Sequence, residues 1–516
     1  MGESPFPHAR PHEFGSNPRS TLRKLAVRFL LDTNVLIQAE PTSSSDVEIN
    51  TVSAIRLIRL IAEGQHSTAI HPASLTEVLG DKNILRRDTR TLLSGKYPRL
   101  QHPPSLSTRL TSLVGVPAPG SHNEIDLLLL SAVEADAVDY FVTEDDGIHR
   151  RARRVGLHDR VLTVADAILA IESLFPSIPQ PPPLVSALLA HQLDESDPIF
   201  TSFRSDYRGF DEWLTKCKRE HRNAWTISAP SGGYAGVCIV KAEHPAGRSD
   251  LGKTLKICSF KIANEFRGYR YGELLLKTVF GYLVENHFSG VFVETFAKQN
   301  ALISLFSDFG FMDIGESSKG ERVLHKFMHP PKREDERLGP LDFNIAYGPH
   351  AITLVGARAF AVPIQPNFHR LLFPDLERQL SLAHESNPFG NSLRKAYLCH
   401  SPIRKIAAGD ALFFYRSRDE QALTAVGIVE DSLVSHDSGL IARFVGKRTV
   451  YSFAEIETMA RKPVLALLFR FARAIPAPWS LDLLIRSGIV KRAPLSCMEL
   501  QSEAVRWIAT QLHVPH

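Results

Sequence analysis

The sequence predicts a multidomain chain of α/β and α+β units: a parallel α/β sheet first, a second α/β fold in the middle, and a mixed β-barrel last. Three observations predict it. At 516 residues the chain exceeds one ordinary hydrophobic core, so about three domains are expected. Two proline-bounded segments interrupt it, Pro176-Ser-Ile-Pro-Gln-Pro-Pro-Pro-Leu184 and His329-Pro-Pro-Lys-Arg-Glu-Asp-Glu-Arg-Leu-Gly-Pro340. Finally, the pattern of apolar runs changes character from one segment to the next. The expected order is a disordered tail over 1–24, a unit over 25–175, a linker over 176–194, a unit over 195–328, a linker over 329–344 and a unit over 345–516.

Composition sets wide bounds. Hydrophobic content of 44% with 22% charged residues is ordinary globular material and excludes disordered or fibrous classes. A net charge of +4 is too small to argue for nucleic-acid binding by itself. Arg outnumbers Lys, which suits phosphate contacts but is equally a product of genome composition. The five cysteines (Cys217, Cys238, Cys258, Cys399 and Cys497) are scattered and odd in number. They argue against a zinc site or a disulfide framework and for a reducing cytoplasm. The N-terminal tail has no apolar core and is no signal peptide. The apolar run Leu25–Ile37 is short, broken by Arg28 and Asp32, and reads as a buried strand rather than a membrane span.

In the first unit, strand-like Phe29–Ile37 and Tyr140–Thr143 alternate with helix-like Ser53–Ala62 and Glu124–Ala135, the pattern of a parallel sheet. Four acids fall at element ends. Asp32 closes an apolar strand in Phe29-Leu-Leu-Asp-Thr-Asn, and Glu77 follows a strand exit in His71-Pro-Ala-Ser-Leu-Thr-Glu. Asp126 lies near a helix start in Asn123-Glu-Ile-Asp, and Asp145 closes a second strand in Tyr140-Phe-Val-Thr-Glu-Asp. The C-terminal edge of a parallel sheet is where α/β proteins place their sites. Carboxylates gathered there repel unless neutralised. Hard divalent cations with oxygen ligands answer that need, so Mg²⁺ or Mn²⁺ is implied, with activation of water on a phosphodiester as the chemistry.

This order of Asp-Thr-Asn, Glu, Asn-x-x-Asp and Thr-x-Asp resembles the PIN nuclease family over about 150 residues. The resemblance implies a metal-dependent ribonuclease with Asp32, Glu77, Asp126 and Asp145 as metal ligands and catalytic residues, oriented by Thr143 and Asn34. Each acid taken singly also reads as a helix cap or a solvated residue. Glu144 and Asp146 are alternatives to Asp145. Arg150, Arg151, Arg153 and Arg154 suit phosphate contact, although a solvated helix face is the commoner fate of such a run.

The middle unit runs from a strand through Arg267-Gly-Tyr-Arg-Tyr-Gly272 into a helix with Leu275, Val279 and Leu283 at helical spacing. Glycines at such a junction let backbone N–H groups face a diphosphate at the helix N-terminus. Arg267 and Arg270 add charge-assisted bonds. A strand, Gly290-Val-Phe-Val-Glu-Thr-Phe296, and a helix ending in Leu305-Phe-Ser-Asp-Phe-Gly-Phe311 follow. With the entry elements Phe210-Asp-Glu-Trp213 and Ala224-Trp-Thr-Ile227, the segment resembles the GNAT acetyltransferases over about 130 residues. The resemblance implies acetyl-CoA bound along Arg267, Gly268, Tyr269, Arg270, Tyr271 and Gly272. Arg270 stands where the family's loop has its middle glycine, and Phe306 where many members carry a proton-donating tyrosine. Glu294 is the candidate general base, an outward strand residue being the alternative.

In the last unit, Ala407-Ala-Gly-Asp-Ala-Leu-Phe-Phe-Tyr-Arg-Ser417 and Ala425-Val-Gly-Ile-Val-Glu-Asp431, with Gly446-Lys-Arg-Thr-Val-Tyr-Ser452, resemble the EVE/ASCH group of PUA-like domains. That resemblance implies RNA or modified-base binding, with Tyr415, Arg416, Ser417 and Lys447 stacking on or bonding a base; a plain barrel core is the alternative. The combined expectation is a ribonuclease coupled to an acetyl-CoA-dependent N-acetyltransferase acting on RNA or RNA-associated substrates, tRNA among them. The alternatives are an N-acetyltransferase of proteins or small molecules, or an acetyl-CoA-sensing scaffold, with a degenerate PIN-like unit.

Overall fold

A computed structural model describes residues 27–39, 50–64, 66–79, 84–95, 97–175, 183, 185–229, 232–245, 248–263, 266, 270–331, 337–377, 388–445 and 448–515. The expected tail over 1–24 lies outside them. No helix among the described residues is long and apolar enough to cross a membrane.

The first sheet holds β1 (Arg28–Leu31), β2 (Ser67–Ala69), β3 (Tyr140–Val142) and β4 (Val161–Leu162), all parallel, in the order β2-β1-β3-β4. Alternate side chains on β1 and β3 enter two separate cores. Phe29, Leu31, Tyr140 and Val142 pack with Leu57, Ile61, Ile168 and Ile171 on one face. Leu30 and Phe141 pack with Leu127, Leu130, Ile148 and Ala152 on the other. Helices therefore cover both faces, as a parallel sheet requires. The expected strand over Phe29–Ile37 stops at Leu31, and a helix begins at Thr33. Asp32 causes the change: its carboxylate accepts the Thr33 N–H at 2.7 Å and its carbonyl accepts that of Leu36 at 3.1 Å, so it caps the helix.

The second sheet holds β5 (Val185–Leu189), β6 (Asn223–Ser228), β7 (Tyr234–Ala242), β8 (Thr254–Ile262), β9 (Gly290–Thr295), β10 (Met312–Glu316) and β11 (Arg322–Phe327). Its order is β10-β11-β9-β8-β7-β6-β5, and only β8 and β9 run parallel, joined by the helix Tyr271–Glu285. The segment 176–194 is not wholly a linker, because β5 pairs with β6 from Val185 to Leu189. The prolines end at Pro183, and the apolar residues after it have every N–H available for a ladder. The helix Pro340–Tyr347 likewise begins inside the expected second linker.

The third sheet holds β12 (Ala359–Ile364), β13 (Arg394–Cys399), β14 (Ala411–Arg416), β15 (Ala422–Ser435), β16 (Val464–Ser480) and β17 (Met498–Glu499). It is mixed, in the order β13-β16-β15-β14-β12-β17, but it is not a closed barrel: β13 and β17 are its two ends, with no backbone ladder between them among the described residues. Register shifts along β15 and β16 mark bulges, which bend paired strands. The ends meet through side chains, Cys399 Sγ lying 3.6 Å from Cys497 Sγ. A two-residue β17 is too short to carry the closing ladder.

The units share interior. One apolar cluster runs from Leu169 and Leu174 through Leu275 and Phe306 to Phe414 and Phe469. Polar ties reinforce it. Arg443 Nη1 is 2.7 Å from Asp139 Oδ1, and Arg448 Nη2 is 3.1 Å from Asp159. Arg470 Nη2 donates to the Asp308 carbonyl at 2.8 Å.

Candidate functional site

Two concave regions coincide with the residues singled out in the sequence. The first is a cavity of about 320 Å³ lined by Asp32, Asn34, Arg90, Asp126 and Asp145 at the C-terminal edge of the parallel sheet. Asp32 is 5% exposed, and its Oδ2 accepts the Thr143 hydroxyl. That hydroxyl also accepts the Asp145 N–H at 3.0 Å and the Asn34 amide at 3.4 Å. The orienting roles expected of Thr143 and Asn34 thus have a geometric basis. Glu77 falls in the helix Ser74–Leu79, but its side chain lies outside the described residues.

The other two described acids also have partners. Asp126 is held 2.5 Å from Arg151 Nη1, and Asp145 caps the helix Asp146–Arg154 by accepting the Ile148 N–H at 2.8 Å. Among the described residues no group of three or more His, Cys, Asp or Glu is placed to hold a metal ion. The fourth expected ligand, Glu77, has its side chain outside the described residues, so the set expected for Mg²⁺ or Mn²⁺ is incomplete among them. The alternatives to Asp145 point elsewhere: Glu144 Oε1 accepts the Val164 N–H at 2.8 Å, and Asp146 lines a different cavity. The arginine run is also largely engaged within the protein. Arg151 holds Asp126, Arg153 lies 3.3 Å from Asp308, and Arg154 donates to the Leu113 carbonyl; Arg150 is exposed. Arg90 had no motif to betray it in the sequence.

The second region is a groove of about 380 Å³. The β8/β9 ladder runs from Thr254↔Gly290 to Ile257↔Val293 and stops there. Phe260, Lys261 and Ile262, on the part of β8 beyond the ladder, line the groove together with Phe266, Arg270, Tyr271, Gly272 and Leu305. The opposite wall belongs to the N-terminal unit: Asn50, Ser53, Arg56, Thr163, Val164 and Asp166. Arg267, Gly268 and Tyr269 lie outside the described residues. Arg270 adopts φ +61°, the left-handed conformation glycine would take without strain. A Cβ on Gly272 would meet Leu305 Cδ2 at 3.0 Å, so the helix start packs tightly against Leu305.

Arg270 is not simply turned to a ligand. Its guanidinium lies 3.4 Å from Asp166 and 3.3 Å from Glu273. Glu273 in turn accepts the Ser392 hydroxyl at 2.6 Å and the Leu393 N–H at 2.9 Å. Phe306 is fully buried against Phe260 and Phe311 and has no proton to give. Glu294 is ion-paired with Lys256 at 2.6 Å. A second carboxylate, Glu321, escaped the sequence reading because no motif surrounds it. It is 8% exposed, and burial, then the charge of Glu294, raises its pKa. Tyr207 stacks on Phe296 at the end of β9, and burial, then Glu321, pushes its hydroxyl up to about 12.

Of the residues expected to contact a base, the described ones (Tyr415, Arg416 and Ser417) do not share an open face. Tyr415 is 1% exposed within the core formed with Phe413, Leu423 and Trp479. Its neighbour Arg416 is buried against Glu377 at 2.7 Å and Asp419 at 2.7 Å. Ser417 donates to the Ile364 carbonyl, and Lys447 lies outside the described residues.

No family model matches this chain, and no curated protein matches it. Solved structures resemble it over limited stretches. An ASCH protein from Zymomonas mobilis matches at 14% identity over 30% of this chain and 94% of its own, with a TM-score of 0.23. An IAA acetyltransferase from Bacillus cereus matches at 14% identity over 28% of this chain and 97% of its own, with a TM-score of 0.23. A GNAT-family acetyltransferase from Listeria monocytogenes matches at 13% identity over 24% of this chain and 71% of its own, with a TM-score of 0.19. Likenesses of this size decide nothing about activity, which rests on the residues above.

Proposed function

We propose that the central unit binds acyl-CoA and transfers the acyl group to an amine. The observation that carries this reading is the end of the parallel β8/β9 ladder at Ile257, where an apolar-sided groove leads to the start of a 15-residue helix. A diphosphate is favoured at such a helix start by the dipole and the unpaired N–H groups. A pantetheine arm suits the apolar stretch of Phe260, Ile262 and Leu305. In the transfer, the amine nitrogen attacks the thioester carbonyl, the C–S bond breaks, and the nitrogen's proton passes to a base. Glu294 and Glu321 are the carboxylates at the end of β9 for that role. With phenylalanine at 306, the leaving thiolate takes its proton from solvent. The test is release of free thiol from acetyl-CoA across a panel of amines, beside calorimetric binding of CoA. Binding without thiol release supports a sensing scaffold, and no binding removes the reading.

A second reading is favoured by a specific observation: Asp32, Asp126 and Asp145 line one cavity at the C-terminal edge of a parallel sheet. Under it the N-terminal unit is a PIN-like nuclease on RNA, selected by the C-terminal unit. Cleavage of pooled RNA that requires both Mn²⁺ and Asp32, lost in Asp32→Asn, supports it. Cleavage unaffected by that substitution, or no cleavage in any condition, removes it.

A further inference from the structure

The groove has two walls from different units, and the contact between them is the cation nearest the helix start. Arg270, from the central unit, meets Asp166 in the first turn of the N-terminal unit's helix Val164–Leu174. Ser53, half-buried on the helix Thr51–Glu63, faces the same space. From this geometry we propose that acyl-CoA occupies a site shared by the N-terminal and central units, in which its diphosphate competes with Asp166 for Arg270. This rests on the acyl-CoA reading above.

The competition follows from charge. A guanidinium 3.4 Å from one carboxylate and 3.3 Å from another gives its strongest bonds to whichever oxygens offer better geometry, and a phosphate can accept two parallel N–H bonds. Glu273 is held by Ser392 and Leu393 of the C-terminal unit, whereas Asp166 is the carboxylate that the N-terminal wall brings to Arg270. Movement at Asp166 reaches the acid-lined cavity by a short path. The Val164 N–H, two residues away, is held by Glu144; the Glu144 N–H is 3.4 Å from Asn34 Oδ1; and Asn34 lines that cavity beside Asp32. A displacement of Asp166 by CoA is expected to reach the acid cavity along this path, and any coupling between the two sites is reciprocal.

The experiment is calorimetric titration of the full chain with CoA, comparing wild type, Ser53→Trp and Asp166→Asn, with hydrogen exchange followed over residues 161–174 and 140–148. Ser53→Trp fills the N-terminal wall and is expected to weaken CoA about tenfold or more. Asp166→Asn keeps shape but removes the competing charge, and is expected to tighten CoA about threefold. In the wild type, CoA changes exchange in both segments. Wild-type binding with affinity unchanged in both variants overturns the shared site and leaves the acyl-CoA reading standing. A wild-type chain that takes up no CoA removes that reading and this inference together.

Discussion

Thr143 Oγ1 donates its hydrogen to Asp32 Oδ2 and uses its lone pairs for the Asp145 N–H and the Asn34 amide, so one hydroxyl from the end of β3 satisfies groups from three directions. The residue is fully buried. Thr143→Val keeps the volume but leaves the buried Asp32 carboxylate and the Asp145 N–H short of a partner. The expected cost is about 1–3 kcal/mol, read from denaturant unfolding, with Thr143→Ser close to wild type. A Thr143→Val protein as stable as wild type would show that water satisfies these groups instead.

Glu430 joins elements far apart in the chain. Its carboxylate takes Arg394 at 2.9 Å, Arg470 at 2.9 Å and Arg448, and Arg448 continues to Asp159 in the N-terminal unit. Burial alone would raise the pKa of Glu430; the three guanidinium groups overcome that and hold it well below the usual carboxylate range. Its contribution to stability is therefore complete above the unfolded carboxylate value and lost as pH falls through the depressed folded one. Glu430→Gln removes the negative centre and leaves buried arginines uncompensated. About 3–5 kcal/mol of stability should disappear, with faster proteolysis at the junction of the units. Unchanged unfolding would mean that Asp159 and Asp308 compensate these cations unaided.

A different pH response comes from His325. It is fully buried on β11, neither ring nitrogen has a hydrogen-bond partner among the described residues, and burial lowers its pKa to about 4. The unfolded chain binds a proton that the folded chain refuses, so this contribution is whole above about pH 6.5 and is lost as pH falls toward 4. Up to about 3 kcal/mol is at stake. His350, lowered to about 4 by burial and then by Arg473, adds in the same window. Melting temperature measured between pH 7 and 4 should fall in the wild type, and less steeply in His325→Phe. Equal slopes would place the proton uptake elsewhere.

The sequence made some of this legible and hid the rest for a physical reason. Alternating apolar runs placed β1 and β3 and the acids at their ends, and Asp32, Asp126 and Asp145 do line one cavity. The Arg-Gly segment marked the helix start beside the groove. Patterns of this kind are local, carried by a few neighbouring residues. What sequence could not show is which partner a side chain finds across the fold. Arg151 reads as a phosphate contact or a solvated face but holds Asp126; Glu294 reads as a base or an outward strand residue and pairs with Lys256; Tyr415 reads as a stacking platform or a core residue, and it fills a core. The contact of Arg394 with His158 spans 236 residues of chain, beyond any motif. β5 was missed because its prolines and its strand residues adjoin in one short stretch.

The two carboxylates at the end of β9 can be told apart by titration. Glu321 has its pKa raised by burial and then by the negative charge of Glu294, the direction that makes a carboxylate a stronger base. Glu294 is ion-paired with Lys256 at 2.6 Å. If the central unit transfers acyl groups, Glu321→Gln should lower kcat by about 10²–10⁴. Glu294→Gln should cost less and act through its neighbour. Removing the Glu294 charge lets Glu321 ionise more easily, so the acidic limb of the pH–rate profile moves to lower pH. A loss confined to Glu294→Gln, with the limb unmoved in Glu321→Gln, assigns proton removal to Glu294 and leaves Glu321 as a buried residue beside the start of β11.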